Sequence, residues 1–439
     1  MAAHGCERVI VELKVGCCSL EGTVLVEWCD MSQRQFPDGF FWGAATASYQ
    51  VEGGIENNDW AQAARDGRVP PCGRACDHYH RYEEDFDIAQ SLGHTAHRFS
   101  LEWARIEPEE GKFNEEAIEH YRQVIRACQA RGMEPIVTLW HFTLPQWFAE
   151  KGGFEHRDSP QVFARYARHV AEQLGAELGR VTTMNEPIVF AGLGWLKGNW
   201  PPFTKFSLAD VFKMTHSGDD EQARAQASVF APLTYARVVD HLVAAHRQAY
   251  ESIKAVAPHT QVSIVKHVVA FDANWNPLNK LEAFVKDQFL NHSFLRRVHR
   301  HCDEIGLNFY HYVKFGDRPA YKKTDMGWEM VPEGIYHALH TLWRYRKPIY
   351  ISEAGLADHD DSDRAEYIQK QVAATWRAIE DGVDVRGHLY WSLLDNYEWA
   401  LGFEKRFGLI EIDYETLERH IRPSAYVYKE ICDRNAVVE

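Results

Sequence analysis

The stretch Arg180-Val-Thr-Thr-Met-Asn-Glu-Pro187 shows how this chain is built. Val181 to Met184 form a short run, rich in β-branched residues, that is able to be a buried strand. Pro187 ends that strand, because proline has no N–H group to offer a sheet ladder. An amide and a carboxyl group, those of Asn185 and Glu186, therefore stand where the backbone pairing stops.

The same design recurs along the chain, with helical patterns between most of the strands. The strand candidates are Phe41–Ala45, Ala96–Leu101, Pro135–Trp140, Val181–Met184, Val262–His267, Glu304–Tyr310, Ile349–Ser352 and Gly387–Ser392. The helix candidates are Tyr79–Leu92 (with Asp77 as its cap), Glu115–Arg131, Pro160–Leu178 and Asp363–Asp381. Buried strands that alternate with helices form parallel sheets, and eight of them predict a closed α/β barrel, the (β/α)8 TIM barrel.

The first thirty residues differ from the rest of the chain. Strong patterning begins at Met31, and 439 residues fit one barrel with insertions. We therefore interpret residues 1–30 as an N-terminal appendage of unreadable function and residues 31–439 as a single catalytic barrel. Glu12 and Lys14 interrupt any apolar core of a secretory signal within the appendage.

Composition excludes several classes of partner. The chain carries 48 Lys and Arg against 63 Asp and Glu, a net charge of −15. This balance argues against nucleic acid and against an anionic membrane as the main partner. No apolar run approaches the roughly 20 residues of a membrane span.

The cysteines indicate a reducing compartment. Their number is nine, which is odd, and without a secretory signal this favours free thiols in the cytoplasm. Cys72 and Cys76 have no second pair at zinc spacing, so we expect no metal site.

A second predicted strand ends in a carboxyl group, as the strand before Glu186 does. In Pro348-Ile-Tyr-Ile-Ser-Glu-Ala354 an apolar run again ends in a carboxyl group, that of Glu353. Because a TIM barrel gathers the carboxyl ends of its strands around one mouth, Glu186 and Glu353 should face each other across a pocket. Paired carboxyl groups of this kind are typical of a glycosidase.

The remaining strand ends carry polar and aromatic side chains. They are Gln50, Arg98, Trp140, His141, Asn185, Asn308, Tyr310, Trp391, Glu398 and Trp399. Taken singly, a histidine or glutamate after a strand is most often structural. Together they form a ring of amides, carboxyls, indoles and one cation, which suits a polyhydroxylated ring substrate.

Four motifs, from Phe36 to about Tyr428, resemble family-one glycoside hydrolases, the retaining β-glucosidases and β-galactosidases. They are Phe36-Pro-Asp-Gly-Phe-Phe-Trp-Gly-Ala-Ala-Thr-Ala-Ser-Tyr-Gln-Val-Glu-Gly53, Thr183-Met-Asn-Glu-Pro187, Ile351-Ser-Glu-Ala-Gly355 and Trp391-Ser-Leu-Leu-Asp-Asn-Tyr-Glu-Trp399. The resemblance implies that Glu353 is the nucleophile and Glu186 the acid/base, about 5 Å apart, as a retaining enzyme requires. It implies no cofactor.

The resemblance also assigns the other ring residues. Asn185 would hold the sugar 2-hydroxyl group, and Trp391 would be the stacking platform. The residues that would hold the remaining hydroxyl groups are Gln50, His141, Glu398 and Trp399. By charge and hydrogen bonding, Arg98 and Tyr310 should keep Glu353 ionised, with Asn308 in support, while the adjacent carboxylate keeps Glu186 protonated.

The chain departs from the family pattern at several positions. Ala354 stands where asparagine is usual and Phe142 where tryptophan is frequent, and the segments between Phe294 and Glu304 and after Tyr310 are short. Two rivals share the barrel: a phospho-glycosidase, which the carboxyl group of Glu398 disfavours, and a non-catalytic sugar-binding protein. The choice among glucose, galactose and fucose, the aglycone and the oligomeric state stay open.

Overall fold

The structure is a computed structural model that describes residues 34–206, 230–316 and 319–438, together with two backbone strands before them. Eight parallel strands close into a barrel in the order of the sequence. They are β1 (Phe41–Ala45), β2 (Ala96–Ser100), β3 (Glu134–Thr138), β4 (Arg180–Asn185), β5 (Gln261–Ala273), β6 (Glu304–Phe315), β7 (Ile349–Ala354) and β8 (Val385–Trp391). The eight predicted strands and the TIM barrel are confirmed.

Helices lie between the strands and cover the barrel. Within the described residues, those of eight or more residues are α1 (His78–Ser91), α2 (Glu115–Ala130), α3 (Ser159–Leu174), α4 (Pro187–Trp195), α5 (Ala231–Val256), α6 (Pro277–Asp287), α7 (Ile335–Trp343), α8 (Arg364–Glu380) and α9 (Pro423–Arg434). Shorter helices span Ser48–Val51, Asp59–Arg65, Trp103–Ile106, Gln146–Glu150 and Leu295–Val298, and an antiparallel pair of short strands joins Ile410–Ile412 to Arg419–Ile421.

Helix α2 illustrates why these segments are helical. The Asn114 side chain accepts hydrogen bonds from the backbone N–H groups of Glu116 and Ala117, which have no partner inside the helix. The predicted cap of α1 is wrong: Asp77 has a φ of 56°, and its carboxylate binds the ring of His80 instead. A left-handed residue before a helix turns the chain without capping it.

The interior of the barrel, beneath the carboxyl ends of its strands, is filled with side chains. Phe41, Ala96, Ile136, Tyr350 and Leu389 form a buried cluster. The Tyr350 hydroxyl group lies 2.8 Å from both the Thr182 and the Ser263 hydroxyl oxygens. The barrel is therefore a packed core, and the mouth at the carboxyl ends of the strands is the place left for a substrate.

Strands β5 and β6 extend beyond the predicted ends at His267 and Tyr310. They continue as a parallel pair to Ala273 and Phe315, after a register shift between Val268 and Val269. Helix α6 packs on this extension. Each residue of these extensions is held by pairing with the other strand, which a single-sequence pattern does not show. The extended pair forms one wall of the mouth.

The appendage contributes an antiparallel pair of strands, Glu7–Val11 with Val24–Trp28. Its other residues lie outside the described part of the chain, so the boundary at residue 30 stays a prediction. We expect a chain that starts at Met31 to fold and to keep its activity, because the barrel strands begin at Phe41. Thermal unfolding and kcat/KM of the shortened and full chains test this, and a loss in either would show that the appendage supports the barrel.

Candidate active site

Glu353 lies at the end of strand β7 and is 4% exposed. Arg98 on strand β2 donates from Nη1 to Glu353 Oε1 at 2.5 Å. The Tyr310 hydroxyl group donates to Oε2 at 2.9 Å. Both carboxylate oxygens thus have a fixed partner, which holds the group in one orientation. Thr138 in turn accepts a hydrogen bond from Arg98 Nε at 3.0 Å and fixes the guanidinium plane.

Glu186 occupies the sharp turn between strand β4 and helix α4. Its φ is 44°, a left-handed conformation that is unusual for a residue with a side chain. Asn308 on strand β6 donates to Glu186 Oε1 at 2.6 Å. Ser352 donates to Asn308 Oδ1 at 2.6 Å and orients that amide. Glu186 is thereby aimed at the mouth where Glu353 lies.

Asn185 connects the hydrogen bonds around Glu353 with those around Glu186. Its Oδ1 accepts from Arg98 Nη2 at 2.7 Å and from Asn308 Nδ2 at 3.2 Å. Its Nδ2 lies 3.2 Å from Nε2 of His141. The amide connects the partner of Glu353 with the partner of Glu186, so the two carboxyl groups belong to one buried network.

Arg98 and Tyr310 separate the proton affinities of the two buried carboxyl groups. Burial, and then the charge of Glu353, raise the pKa of Glu186 to about 8. Burial also raises the pKa of Glu353, but the charge of Arg98 and the hydrogen bond from Tyr310 oppose it. Glu353 therefore ionises first, while Glu186 keeps its proton at neutral pH. The adjacent carboxylate is thus the second cause of the raised pKa of Glu186, after burial.

The predicted sugar-holding residues line the same mouth. Gln50 donates from Nε2 to Asn396 Oδ1 at 2.9 Å and to the Tyr397 carbonyl oxygen at 2.8 Å. The ring of His141 is nearly parallel to the indoles of Trp391 and Trp399, at 17° and 13°, with ring centres 5.9 and 6.0 Å away. The structure thus brings together the amide, imidazole and indole groups that the sequence predicts.

The charges of both central carboxyl groups, Glu353 and Glu186, act on Glu398. Burial, followed by the charges of Glu353 and Glu186, raises the pKa of Glu398 to about 8. At neutral pH the group is therefore largely a neutral carboxylic acid, able to donate a hydrogen bond as well as to accept one.

Several supporting residues escape the sequence patterns. Thr138, Ser352 and Asn396 orient a site residue by one hydrogen bond each. Single hydroxyl and amide groups of this kind are too common to stand out in a sequence. Lys266 is different, because a lysine within the largely apolar run of strand β5 is a signal that could have been noticed.

Metal-holding clusters and membrane-spanning helices are both absent from the residues that the structure describes. No cluster of three His, Cys, Asp or Glu side chains in these residues could hold a metal ion. Among the described helices, none combines the length and apolar character of a membrane span.

Comparison with known proteins decides the family. The sequence profile of glycosyl hydrolase family 1 matches residues 32–302 and 311–437. The chain belongs to this family. It is therefore a glycoside hydrolase by descent, and its TIM barrel is the fold of the family.

Individual relatives agree with this membership. The family-1 chain is 32% identical to β-glucosidase A of Thermotoga maritima, over 93% of its own length and 100% of the relative. It is 30% identical to a bifunctional β-D-glucosidase/β-D-fucosidase of Bifidobacterium breve, over 91% and 99%. The solved β-glycosidase of Pyrococcus horikoshii superposes with a TM-score of 0.81 at 36% identity, covering 93% of this chain and 97% of that one.

Proposed function

We propose that this family-1 protein is a retaining β-glucosidase that works by double displacement through Glu353 and Glu186. One observation carries the assignment: two buried carboxyl groups share one hydrogen-bonded network, yet of the two only Glu353 accepts a hydrogen bond from a cation. The unequal pairing gives one nucleophile that is ionised and one acid that is protonated. Retaining hydrolysis needs that combination.

In the first step the Glu353 carboxylate attacks the anomeric carbon. The bond to the leaving oxygen breaks as Glu186 donates its proton to that oxygen, and a glycosyl ester of Glu353 forms. Arg98 and Tyr310 keep the attacking carboxylate ionised and aimed. Asn185 is positioned to bind the 2-hydroxyl group, a contact that strengthens in the transition state.

In the second step water cleaves the ester. Esterification removes the negative charge of Glu353, which is one cause of the raised pKa of Glu186. Glu186 can then act as a base and take a proton from the attacking water. The sugar leaves with its original β configuration, and both carboxyl groups return to their starting states.

Unsatisfied polar atoms at the mouth suit the hydroxyl groups of a sugar. Within the described residues, Gln50 Oε1 and His141 Nδ1 are buried and have no hydrogen-bond partner. Buried polar atoms without partners are costly, and substrate hydroxyl groups would satisfy them. With Trp391 as a stacking surface and Glu398 and Trp399 to hold further hydroxyl groups, the site fits a terminal β-D-glucose, with β-fucosides and β-galactosides as further substrates.

Proton NMR of the first-formed sugar tests this proposal. A panel of aryl β-D-glucosides, galactosides and fucosides, with the α-glucoside as control, should show turnover of the β series alone. The free sugar should appear first as its β anomer and equilibrate later. An α anomer as the first product would contradict the two-step mechanism.

The wider role is also a proposal. Five described cysteines, Cys72, Cys76, Cys128, Cys302 and Cys432, are free and buried, as in proteins of a reducing compartment. We place the enzyme in the cytoplasm, where it would degrade cellobiose and other small β-glucosides. Fractionation of the native host and growth on cellobiose would test the two points.

We expect the enzyme to reject 6-phosphoglucosides. Burial and the charges of Glu353 and Glu186 already raise the pKa of Glu398 to about 8, so this part of the mouth disfavours a further negative charge. A phosphate would add such a charge, so kcat/KM should be about 100-fold lower than for the plain glucoside, or about 2.7 kcal/mol. Glu398→Gln, which keeps the shape and cannot ionise, should reduce the difference in kcat/KM between the two substrates above about pH 8, where Glu398 becomes charged. Faster hydrolysis of the phosphorylated substrate would make the phospho-glycosidase assignment correct.

A further inference from the structure

Lys266 is a buried cation on strand β5 that the mechanism above does not use. Its side chain is 3% exposed. Its Nζ donates a hydrogen bond to the carbonyl oxygen of His267. A buried lysine keeps its charge only where nearby anions or acceptors offset the loss of water, so its position has to be explained by a neighbour.

The neighbour is the acid/base glutamate. Strands β4 and β5 pair in parallel with Asn185 opposite Val265. The backbone N–H group of Glu186 donates to the Val265 carbonyl oxygen at 3.1 Å. Glu186 and Lys266 are thus the next residues along two hydrogen-bonded strands, at the point where strand β4 turns into helix α4.

We propose that Lys266 is a positioning residue for Glu186, whose buried ammonium group stabilises the ionised form of the acid/base carboxyl group. The inference rests on the proposed function, in which Glu186 donates a proton and later accepts one. The two chemical steps proposed above use no cation on strand β5.

Few charged or titratable groups surround Glu186. Glu186 faces Glu353 on β7, Arg98 on β2, Tyr310 on β6 and Glu398 beyond β8. Helix α4, which begins directly after Glu186, carries no ionisable side chain.

Lys266 has a similarly small set of charged neighbours. It faces Glu186, the ring of His267 and Asp287, which ends helix α6. Asp287 is already paired with His292 at 3.1 Å. Glu186 is therefore the unpaired carboxyl group beside Lys266.

The electrostatics of both groups agree with this arrangement. Burial lowers the pKa of Lys266 to about 8, and Glu186 acts in the opposite direction. Lys266 is thus mostly charged at neutral pH. Its charge lowers the pKa of Glu186, against the larger effects of burial and Glu353.

The balance changes between the two chemical steps. In the free enzyme the negative charge of Glu353 opposes Lys266, and Glu186 keeps its proton. In the glycosyl-enzyme Glu353 is an ester, so Lys266 and Arg98 act on Glu186 without an opposing anion. Lys266 should therefore matter most when Glu186 has to become a base.

The test compares Lys266→Met with Lys266→Arg, which remove and keep the charge. The readouts are the alkaline limb of kcat/KM on p-nitrophenyl β-glucoside and the acidic limb of reactivation of an enzyme trapped as its 2-deoxy-2-fluoroglucosyl ester. Both limbs should lie about half a pH unit or more higher in Lys266→Met than in Lys266→Arg. Equal limbs in the two variants would overturn the proposal, whatever their stabilities.

Glu186→Gln separates this inference from the proposed function. If the alkaline limb of the wild type persists in Glu186→Gln, the acid/base assignment itself fails. If Lys266→Met does not fold, the alkaline limb of kcat/KM in the wild type is compared with that in Lys266→Arg. Because Lys266 loses its charge near pH 8 and arginine does not, the arginine variant should show its alkaline limb at lower pH, and an unchanged limb would contradict the proposal.

Discussion

Glu353→Ala should lower kcat/KM on every β-glucoside by about 10⁴-fold or more, a loss of about 5.4 kcal/mol of transition-state stabilisation. The variant lacks the group that attacks the anomeric carbon, so no glycosyl ester can form. Arg98 and the Tyr310 hydroxyl group lose their common acceptor, and the vacated space lies beside a buried cation. Steady-state kinetics on p-nitrophenyl β-glucoside would measure the loss.

A small anion should partly restore this variant. Azide can occupy the space beside Arg98 and attack the anomeric carbon in one displacement while the aryl oxide leaves. The product should be an α-glycosyl azide, because a single displacement inverts the configuration. Recovery of a β-glycosyl azide would place the nucleophile elsewhere.

Glu304→Ala is the matched control for this variant. Glu304 is also a buried glutamate paired with an arginine, Arg180, but it lies at the opposite, amino-terminal end of the barrel. Its loss removes one of the two carboxylate partners of Arg180, the other being Glu134, and should lower the melting temperature. The folded fraction should keep its kcat/KM within a few fold, which separates loss of an ion pair from loss of the nucleophile.

Glu186→Ala should affect substrates according to their leaving groups. For alkyl glucosides and cellobiose, kcat/KM should fall by about 10²–10⁴-fold, the contribution of general acid catalysis. For 2,4-dinitrophenyl β-glucoside kcat/KM should change far less, because that leaving group departs without a proton. A plot of log kcat/KM against the leaving-group pKa should therefore be much steeper than for the wild type.

The same variant should also accumulate the glycosyl-enzyme. Without Glu186 no base activates water, so an activated substrate should give a burst followed by a slow steady state. Azide, which needs no base, should relieve that slow step and give a β-glycosyl azide, since the ester is displaced from the opposite face. Equal losses for good and poor leaving groups would contradict the acid/base role.

Much of the fold could be predicted because its pattern is local. Most of the predicted strands are short, largely apolar runs followed by a polar residue, and the turn after strand β4 is marked by Pro187. The family motifs around Glu186 and Glu353 lie in continuous stretches, so the two central carboxyl groups needed no tertiary information. The strand boundaries at Ala273 and Phe315 did, because those residues extend strands only by pairing with each other.

The relation between the carboxyl groups was decided by the tertiary structure alone. Arg98 and Glu353 are 255 positions apart in the chain and form an ion pair only when the barrel closes. Burial then raises the pKa of Glu186 more effectively than the neighbouring carboxylate does. Lys266 acquires its position beside Glu186 through strand pairing. A sequence records which groups a chain carries, whereas Coulomb and desolvation energies depend on distance and burial, which exist only in the folded barrel.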